Sequence, residues 1–165
     1  MTTATPVYGT VVTHTIALHT GPLASDTNLL AGRAGTAIDQ KDTDDAIDAL
    51  VGGLVTTGTT PTASRQIEIW LYSSPDDTNF SEGITGTDAN KTLVTKSHLR
   101  LLTIIPTNST SNVAHYWGPF SVAQAFGGII PVQWGVFVVH NTGVALNSTS
   151  GNHFVKHYPI KYESA

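Results

Sequence analysis

Short segments with a period of two recur along this chain, and that period most constrains what the chain can fold into. The clearest is residues 66–72, in which Ile67, Ile69 and Leu71 alternate with larger or polar residues. Successive side chains of a strand point to opposite faces, so these three apolar residues are expected to point into a core. The other face carries two aromatic side chains, which predicts that something covers it. The same reasoning predicts further strands at residues 7–18, 98–105, 113–117, 132–140 and 153–161.

The remaining segments are less regular. Residues 46–57 carry apolar side chains at helical spacing, but Gly52 and Gly53 interrupt the pattern and the following Leu-Val-Thr-Thr favours a strand, which we prefer over a helix. Residues 23–38 predict a long connection or a short, irregular edge strand. Residues 74–91 form a polar loop of a length that is usually functional. Residues 121–126 predict one helical turn, ended by a glycine pair.

The composition agrees with a β-rich domain. The chain has 165 residues, about 25 of them threonine, and few of the Lys, Glu, Met and Arg residues that favour solvated helices. About eight turn-punctuated strands without βαβ alternation predict an all-β fold in one domain spanning residues 1–165. The expected architecture is an antiparallel β-sandwich of jelly-roll type, with an immunoglobulin-like sandwich as second choice.

The charge balance excludes several classes of partner. The net charge is −4 and only 12% of residues are charged, about half the ~25% typical of soluble domains. A nucleic-acid binder needs a basic stripe, and a membrane anchor needs a polybasic or a long apolar segment, so neither partner is expected. The N-terminal residues 1–6 lack the pattern of a signal peptide. The absence of cysteine removes thiolate chemistry and Cys-based metal sites.

Motifs for catalysis or cofactor binding are missing or incomplete. Residues 53–60 have the glycine spacing of a phosphate-binding loop, but Thr59 stands where the lysine is required. On a strand, His153 and His157 would lie about 13 Å apart, too far to share an ion. We therefore expect no enzyme activity, no cofactor and no metal centre. An irregular calcium site stays open in the acidic run of Asp39, Asp42, Asp44, Asp45 and Asp48, which is otherwise a solvated connection.

Aromatic side chains in a chain so poor in charge point to an interaction surface. Interface centres favour aromatic residues and exclude Lys and Glu, so Trp70, Tyr72 and Trp117 are candidate interface residues. The alternative is that the tryptophans, Trp134 among them, fill the core. The acidic 39–48 segment and the 74–91 loop are the other candidate contact elements, represented by Asp44, Asp45, Asp76 and Asp77.

Three segments resemble a known group of proteins. Residues 25–33 (SDTNLLAGR), 59–70 (TTPTASRQIEIW) and 128–153 (GIIPVQWGVFVVHNTGVALN continuing to GNH) resemble a family of tailed-bacteriophage proteins encoded among virion structural genes. The resemblance implies a virion component, made in the bacterial cytoplasm. It most directly implies a capsid decoration (cement) protein that binds the major capsid protein on the outer shell, as a homotrimer. The alternative function is a tail-associated module that binds a receptor or carbohydrate.

Overall fold

The computed structural model describes residues 4–40 and 46–164, and these residues are almost entirely strand and loop. The described residues include a 3₁₀ turn at Ser81–Gly83 and a short helix, α1, at Val122–Ala125. The strands within the described residues are β1 (Ala4–Tyr8), β2 (Val12–Thr13), β3 (Ala31–Ala34), β4 (Ile38–Asp39), β5 (Asp48–Thr56), β6 (Arg65–Ser74), β7 (Ala89–Thr92), β8 (Arg100–Thr107), β9 (Ala114–Ser121), β10 (Gln133–His140) and β11 (Phe154–Ser164).

The strands form two antiparallel sheets whose order is that of a jelly roll. The first sheet has the order β1-β11-β5-β9, with β2 also paired to β11. The second has the order β7-β3-β10-β6-β8, with β4 also paired to β10. The long pairings are nested, because β1 pairs with β11, β3 with β10, β5 with β9 and β6 with β8. This nesting confirms the all-β sandwich of jelly-roll type, whereas an immunoglobulin-like sandwich pairs its first strand with its second.

The core lies between the two sheets and follows the period of two. Ile67, Ile69 and Leu71 of β6 are fully buried, as predicted, and pack in one cluster with Val51 of β5 and Val155 of β11. Full burial of an aliphatic side chain stabilises a fold by about 1.5–3 kcal/mol. The central strand β10 is buried on both faces, also as predicted.

The chain itself covers the outer face of the second sheet. Tyr72 on that face packs with Phe137 of β10 and with Ile84, Leu93 and Leu99 from the connection between β6 and β8. The prediction that something covers the aromatic face of β6 is therefore confirmed, and the cover is the connection between β6 and β8, residues 75–99, which we call the covering segment. Tyr72 is buried beneath it.

Two strand predictions differ from the structure. The segment 7–18 is not one strand, because the chain passes from the first sheet to the second: the His14 amide bonds to Val155 of β11, while the Thr15 carbonyl accepts from Thr36. Burial still alternates along it through Leu18. The segment 23–38 does contain a short strand, but β3 lies between β10 and β7 and is not an edge strand. Residues 46–57 do form a strand, β5.

Candidate interaction surfaces

The outer face of the first sheet carries an exposed aromatic surface. Along β11 the side chains of Val155 and His157 point inward and are buried, so their alternate neighbours point to solvent. The adjacent strands add outward-pointing apolar residues in register. We call this surface the tyrosine face and define it as Tyr8, Leu50, Tyr116, Phe154, Lys156, Tyr158 and Tyr162.

The tyrosines of this face are presented to solvent rather than packed away. Tyr8 is 68%, Tyr116 76%, Tyr158 48% and Tyr162 60% exposed. The rings of Tyr8 and Tyr158 meet edge to face, with centroids 6.4 Å apart. Tyr116 and Phe154 lie on either side of Leu54 in the cross-strand register. A contiguous exposed patch of this kind is typical of an interaction site.

A groove of about 490 Å³ runs through the tyrosine face. Its floor is the backbone of Gly52 and Gly118, since a Cβ on Gly118 would lie 2.6 Å from the Gly52 Cα. Its walls include Tyr116, Phe154 and Tyr158. Absence of side chains at the two glycines leaves a depression that can receive a protruding group from a partner.

Charge is almost absent from this groove. Among the described residues, Lys156 is the only charged side chain that lines it, with Nζ 5.1 Å from the centroid of the Phe154 ring. Asp48, at the start of β5, bonds to the Ser121 hydroxyl at 2.6 Å and to the Ala123 amide at 2.8 Å. The carboxylate of Asp48 therefore accepts hydrogen bonds at the start of α1 and does not line the groove. Apart from Lys156, the residues that line the groove are uncharged.

A second cavity, of about 700 Å³, lies at one end of the sandwich, and we call it the end cleft. It is lined by residues 73–75, 79–82, 98, 126 and 129–132. The Nδ1 of exposed His98 lies 2.7 Å from Oε1 of Glu82, whose side chain is 7% exposed. Glu82 has a φ of 56°, in the left-handed region that a non-glycine residue rarely adopts. Carboxylate, imidazole, amide and hydroxyl groups thus meet beside apolar residues in this cleft.

The structure places the three predicted aromatic interface residues mainly inside the protein. Tyr72 is fully buried and its hydroxyl donates to the Gly35 carbonyl; burial raises its pKa well above the usual range. Trp117 is 7% exposed and packs in the main core, opposite Gly53 of β5. Trp70 is half-buried, donates its Nε1–H to Glu68 at 2.8 Å and lies under Lys96. The structure therefore places Tyr72 and Trp117 in the core rather than on the exposed surface, although Trp117 also lines the groove of the tyrosine face.

The predicted acidic contact residues have different positions. Asp44 and Asp45 lie outside the described residues. The carboxylate of Asp76 accepts hydrogen bonds from the amide and the side chain of Asn79 and from the amide of Thr78, and these bonds, in that order, lower its pKa to about 2. Asp76 thus forms a turn beside the end cleft. Asp77 is exposed at the tip of that turn, with a φ of 64°.

Two histidines meet inside the core. His14 Nε2 lies 3.0 Å from His157 Nδ1, and both rings pack against Trp134 with centroids 5.0 and 5.2 Å away. Burial, and secondly the neighbouring His157, lower the pKa of His14 to about 3. The pair lies between the sheets and reaches neither the groove nor the end cleft. Among the described residues no group of three His, Asp or Glu side chains is placed to hold a metal ion.

Sequence reasoning missed the tyrosine face. The signal was the spacing of Phe154, Tyr158 and Tyr162 on one face of a strand, together with the isolated Tyr8 and Tyr116.

Comparison with protein-family models, with curated proteins and with solved structures finds no match to this chain. No helix within the described ranges is long and apolar enough to cross a membrane.

Proposed function

We propose that this chain is a bacteriophage virion structural protein, a capsid decoration protein that binds the major capsid protein and stabilises the head shell. The observation that carries the proposal is the tyrosine face: a broad, exposed, nearly uncharged aromatic surface on a rigid sheet. Apolar burial on such a surface contributes roughly 25 cal/mol per Å², and many copies on one shell would add their effects as avidity. The resemblance of residues 25–33, 59–70 and 128–153 to phage virion proteins supports the same function.

The edges of the two sheets favour contact through faces. The end strands of the sheets are β1, β9, β7 and β8. Pro6, Pro119 and Pro106 lie in three of them, and β7 is only four residues long. Proline in an edge strand removes a donor, and a short edge strand offers little to pair with, so neither readily extends a sheet into a neighbouring molecule. The tyrosine face is therefore a better docking element than any strand edge.

Self-association as a homotrimer is part of the proposal. Leu101 and Ile104 on β8 are each more than two-fifths exposed, away from the tyrosine face. These side chains give neighbouring copies an apolar contact, while the tyrosine face remains available for the shell. Sedimentation of the purified chain tests this part: a trimer supports it, and a monomer at high concentration contradicts it.

The test of the function is the location and copy number of the chain in purified phage particles. Quantitative mass spectrometry against the major capsid protein should give hundreds of copies per particle, and imaging should place them on the outer shell. Absence of the chain from the head would overturn the proposal. The proposal includes no catalytic activity, no cofactor, and no contact with nucleic acid or membrane.

The end cleft favours a second candidate, a tail-associated module that binds a receptor or carbohydrate. Glu82, Asn79 and His98 offer hydrogen-bonding groups for hydroxyls beside apolar walls, the combination found in many small-molecule sites. A glycan array probed with the wild-type chain and Glu82→Gln tests it. Binding that the substitution abolishes, together with a few to tens of copies per particle, would favour the tail; an empty array favours the shell.

A further inference from the structure

We infer that the tyrosine face docks onto an apolar surface of a different protein that presents a carboxylate opposite Lys156, and not onto a second copy of this chain. This inference rests on the proposed function, in which the different protein is the major capsid protein. It goes further by specifying the chemistry of the partner surface and the symmetry of the contact.

The position of Lys156 argues against a symmetric contact. Lys156 pairs with Gly52 of β5 on one side and with Thr13 of the short strand β2 on the other, one strand in from the sheet edge, and its side chain lines the groove. A two-fold contact brings the same patch of both copies together. A two-fold contact that buried the groove of both copies would bury two Lys156 ammonium groups, and among the described residues no carboxylate lines the groove of either copy. Like charges brought together in an interface disfavour the complex.

The same lysine defines what the partner must supply. The Lys156 side chain is exposed, and Nζ lies against the face of the Phe154 ring. Covering the groove removes water from this ammonium, and a desolvated charge is tolerated only when it is paired and hydrogen-bonded. Among the described residues, no carboxylate lines the groove, so the counter-charge for Lys156 has to come from the partner.

The rest of the lining favours a protein over a sugar. Besides Lys156 and the three glycines, the lining residues are Val11, Leu50, Tyr116, Trp117, Pro119, Phe154 and Tyr158. Sugar hydroxyls require several well-placed polar side chains, and this groove offers one ammonium and two phenolic hydroxyls. Aromatic walls around a depression instead suit the apolar side chains that dominate protein–protein interfaces.

The test measures binding of purified chain variants to shells assembled from the major capsid protein encoded in the same phage genome. The variants are Lys156→Met, which removes the charge, and Lys156→Glu, which reverses it. Arg100→Glu on β8 is the matched control, because it makes the same charge reversal at an exposed site of the other sheet. Circular dichroism and thermal unfolding of each variant check that the fold is retained.

The expected result is a graded loss that belongs to Lys156 alone. We expect Lys156→Met to weaken binding about tenfold and Lys156→Glu by about a hundredfold or more, with Arg100→Glu within about threefold of wild type. Wild-type binding that Lys156→Glu leaves unchanged would overturn the inference while leaving the proposed function in place. Dimers of the isolated chain that Lys156→Glu dissociates would overturn it as well, because the face would then be a self-contact. A wild-type chain that binds no shell overturns both proposals.

Discussion

At the scale of single residues, His14 shows most clearly how the fold changes chemistry. An isolated histidine titrates near pH 6.5, but His14 is buried between the sheets against His157 and Trp134. Burial disfavours the charged imidazolium, and the neighbouring imidazole disfavours it further, so the pKa of His14 falls to about 3. Burial also lowers the pKa of His140 and His153. The folded protein therefore resists protonation at positions where the unfolded chain accepts it.

This difference predicts acid sensitivity. Above about pH 6.5 both states leave His14 neutral and its contribution to stability is complete. As the pH falls from 6.5 toward 3, the unfolded state binds a proton that the folded state does not, and each pH unit costs about 1.4 kcal/mol of the free energy of unfolding. When the pH is lowered from 7.5 to 4.5, we expect the free energy of unfolding of His14→Phe to fall by about 2–3 kcal/mol less than that of wild type.

Urea unfolding at the two pH values measures the effect. The control is His98→Phe, which removes a histidine whose side chain is 75% exposed. If wild type and His14→Phe lose the same free energy of unfolding on acidification, the buried pair does not govern the acid response.

At the scale of elements, the connection between β6 and β8 is held on the second sheet by a buried carboxylate. Glu68 accepts hydrogen bonds from Gln66 Nε2 at 2.6 Å and from Trp70 Nε1 at 2.8 Å, and it pairs with Lys96 of the connection. Lys96 in turn lies 4.8 Å from the centroid of the Trp70 ring. Through Lys96, these contacts hold the covering segment, residues 75–99 between β6 and β8, against Glu68 and Trp70 of β6.

Removing that charge should loosen the cover. Glu68→Gln keeps the shape but leaves Lys96 without its counter-charge, and we expect a loss of about 1–3 kcal/mol in the free energy of unfolding. Amide hydrogen exchange should accelerate in residues 93–99 more than in β10. Glu163→Gln, at an exposed position on β11, is the control. Uniform acceleration throughout the chain, or none, would contradict the role of Glu68 as a local clamp.

How far the sequence predicts these elements depends on what each pattern contains. The alternation around Ile69 identifies β6 and its inner face, because a period of two is a local property. It also shows that the Trp70 side is covered, but the covering residues Ile84 and Leu99 belong to an irregular segment with no period of its own. Burial of Trp117 depends on its register opposite Gly53, which is set by the pairing of distant strands. Along β11, buried His157 and exposed Tyr158 alternate in the opposite sense to their hydropathy. Hydropathy therefore does not identify the outward face, and only the spacing of Phe154, Tyr158 and Tyr162 signals it.

At the scale of the whole molecule, the two sheets differ in what covers their outer faces. The second sheet is covered by residues of its own chain, with Tyr72 and Phe137 in a closed apolar cluster. The first sheet leaves four tyrosines and a groove open to solvent. The outer face of the first sheet is therefore an aromatic, nearly uncharged surface that the chain leaves open and that suits a partner.

Because of this difference between the two outer faces, substitutions on the tyrosine face should weaken binding to the partner much more than they lower the stability of the fold. Replacing Tyr116 and Tyr158 together by serine should lower the free energy of unfolding by no more than about 2 kcal/mol, since Tyr116 is 76% and Tyr158 48% exposed. The same double variant should bind shells of the major capsid protein at least tenfold more weakly, because aromatic side chains dominate interface energies.

Val94→Ser is the control for that experiment, because Val94 is equally apolar and 92% exposed but lies on the covering segment of the other sheet. It should bind as wild type does. Loss of binding in the control, or full binding by the double tyrosine variant, would place the contact elsewhere on the molecule.

High-resolution imaging of purified phage particles tests the central claim most directly, because it shows which outer face of the sandwich is covered in the assembled state. We expect this chain on the outer shell, with Tyr116, Phe154 and Tyr158 buried against the major capsid protein and with the second sheet turned away from it. A particle in which the chain is absent from the head, or in which those three side chains face solvent, would contradict it.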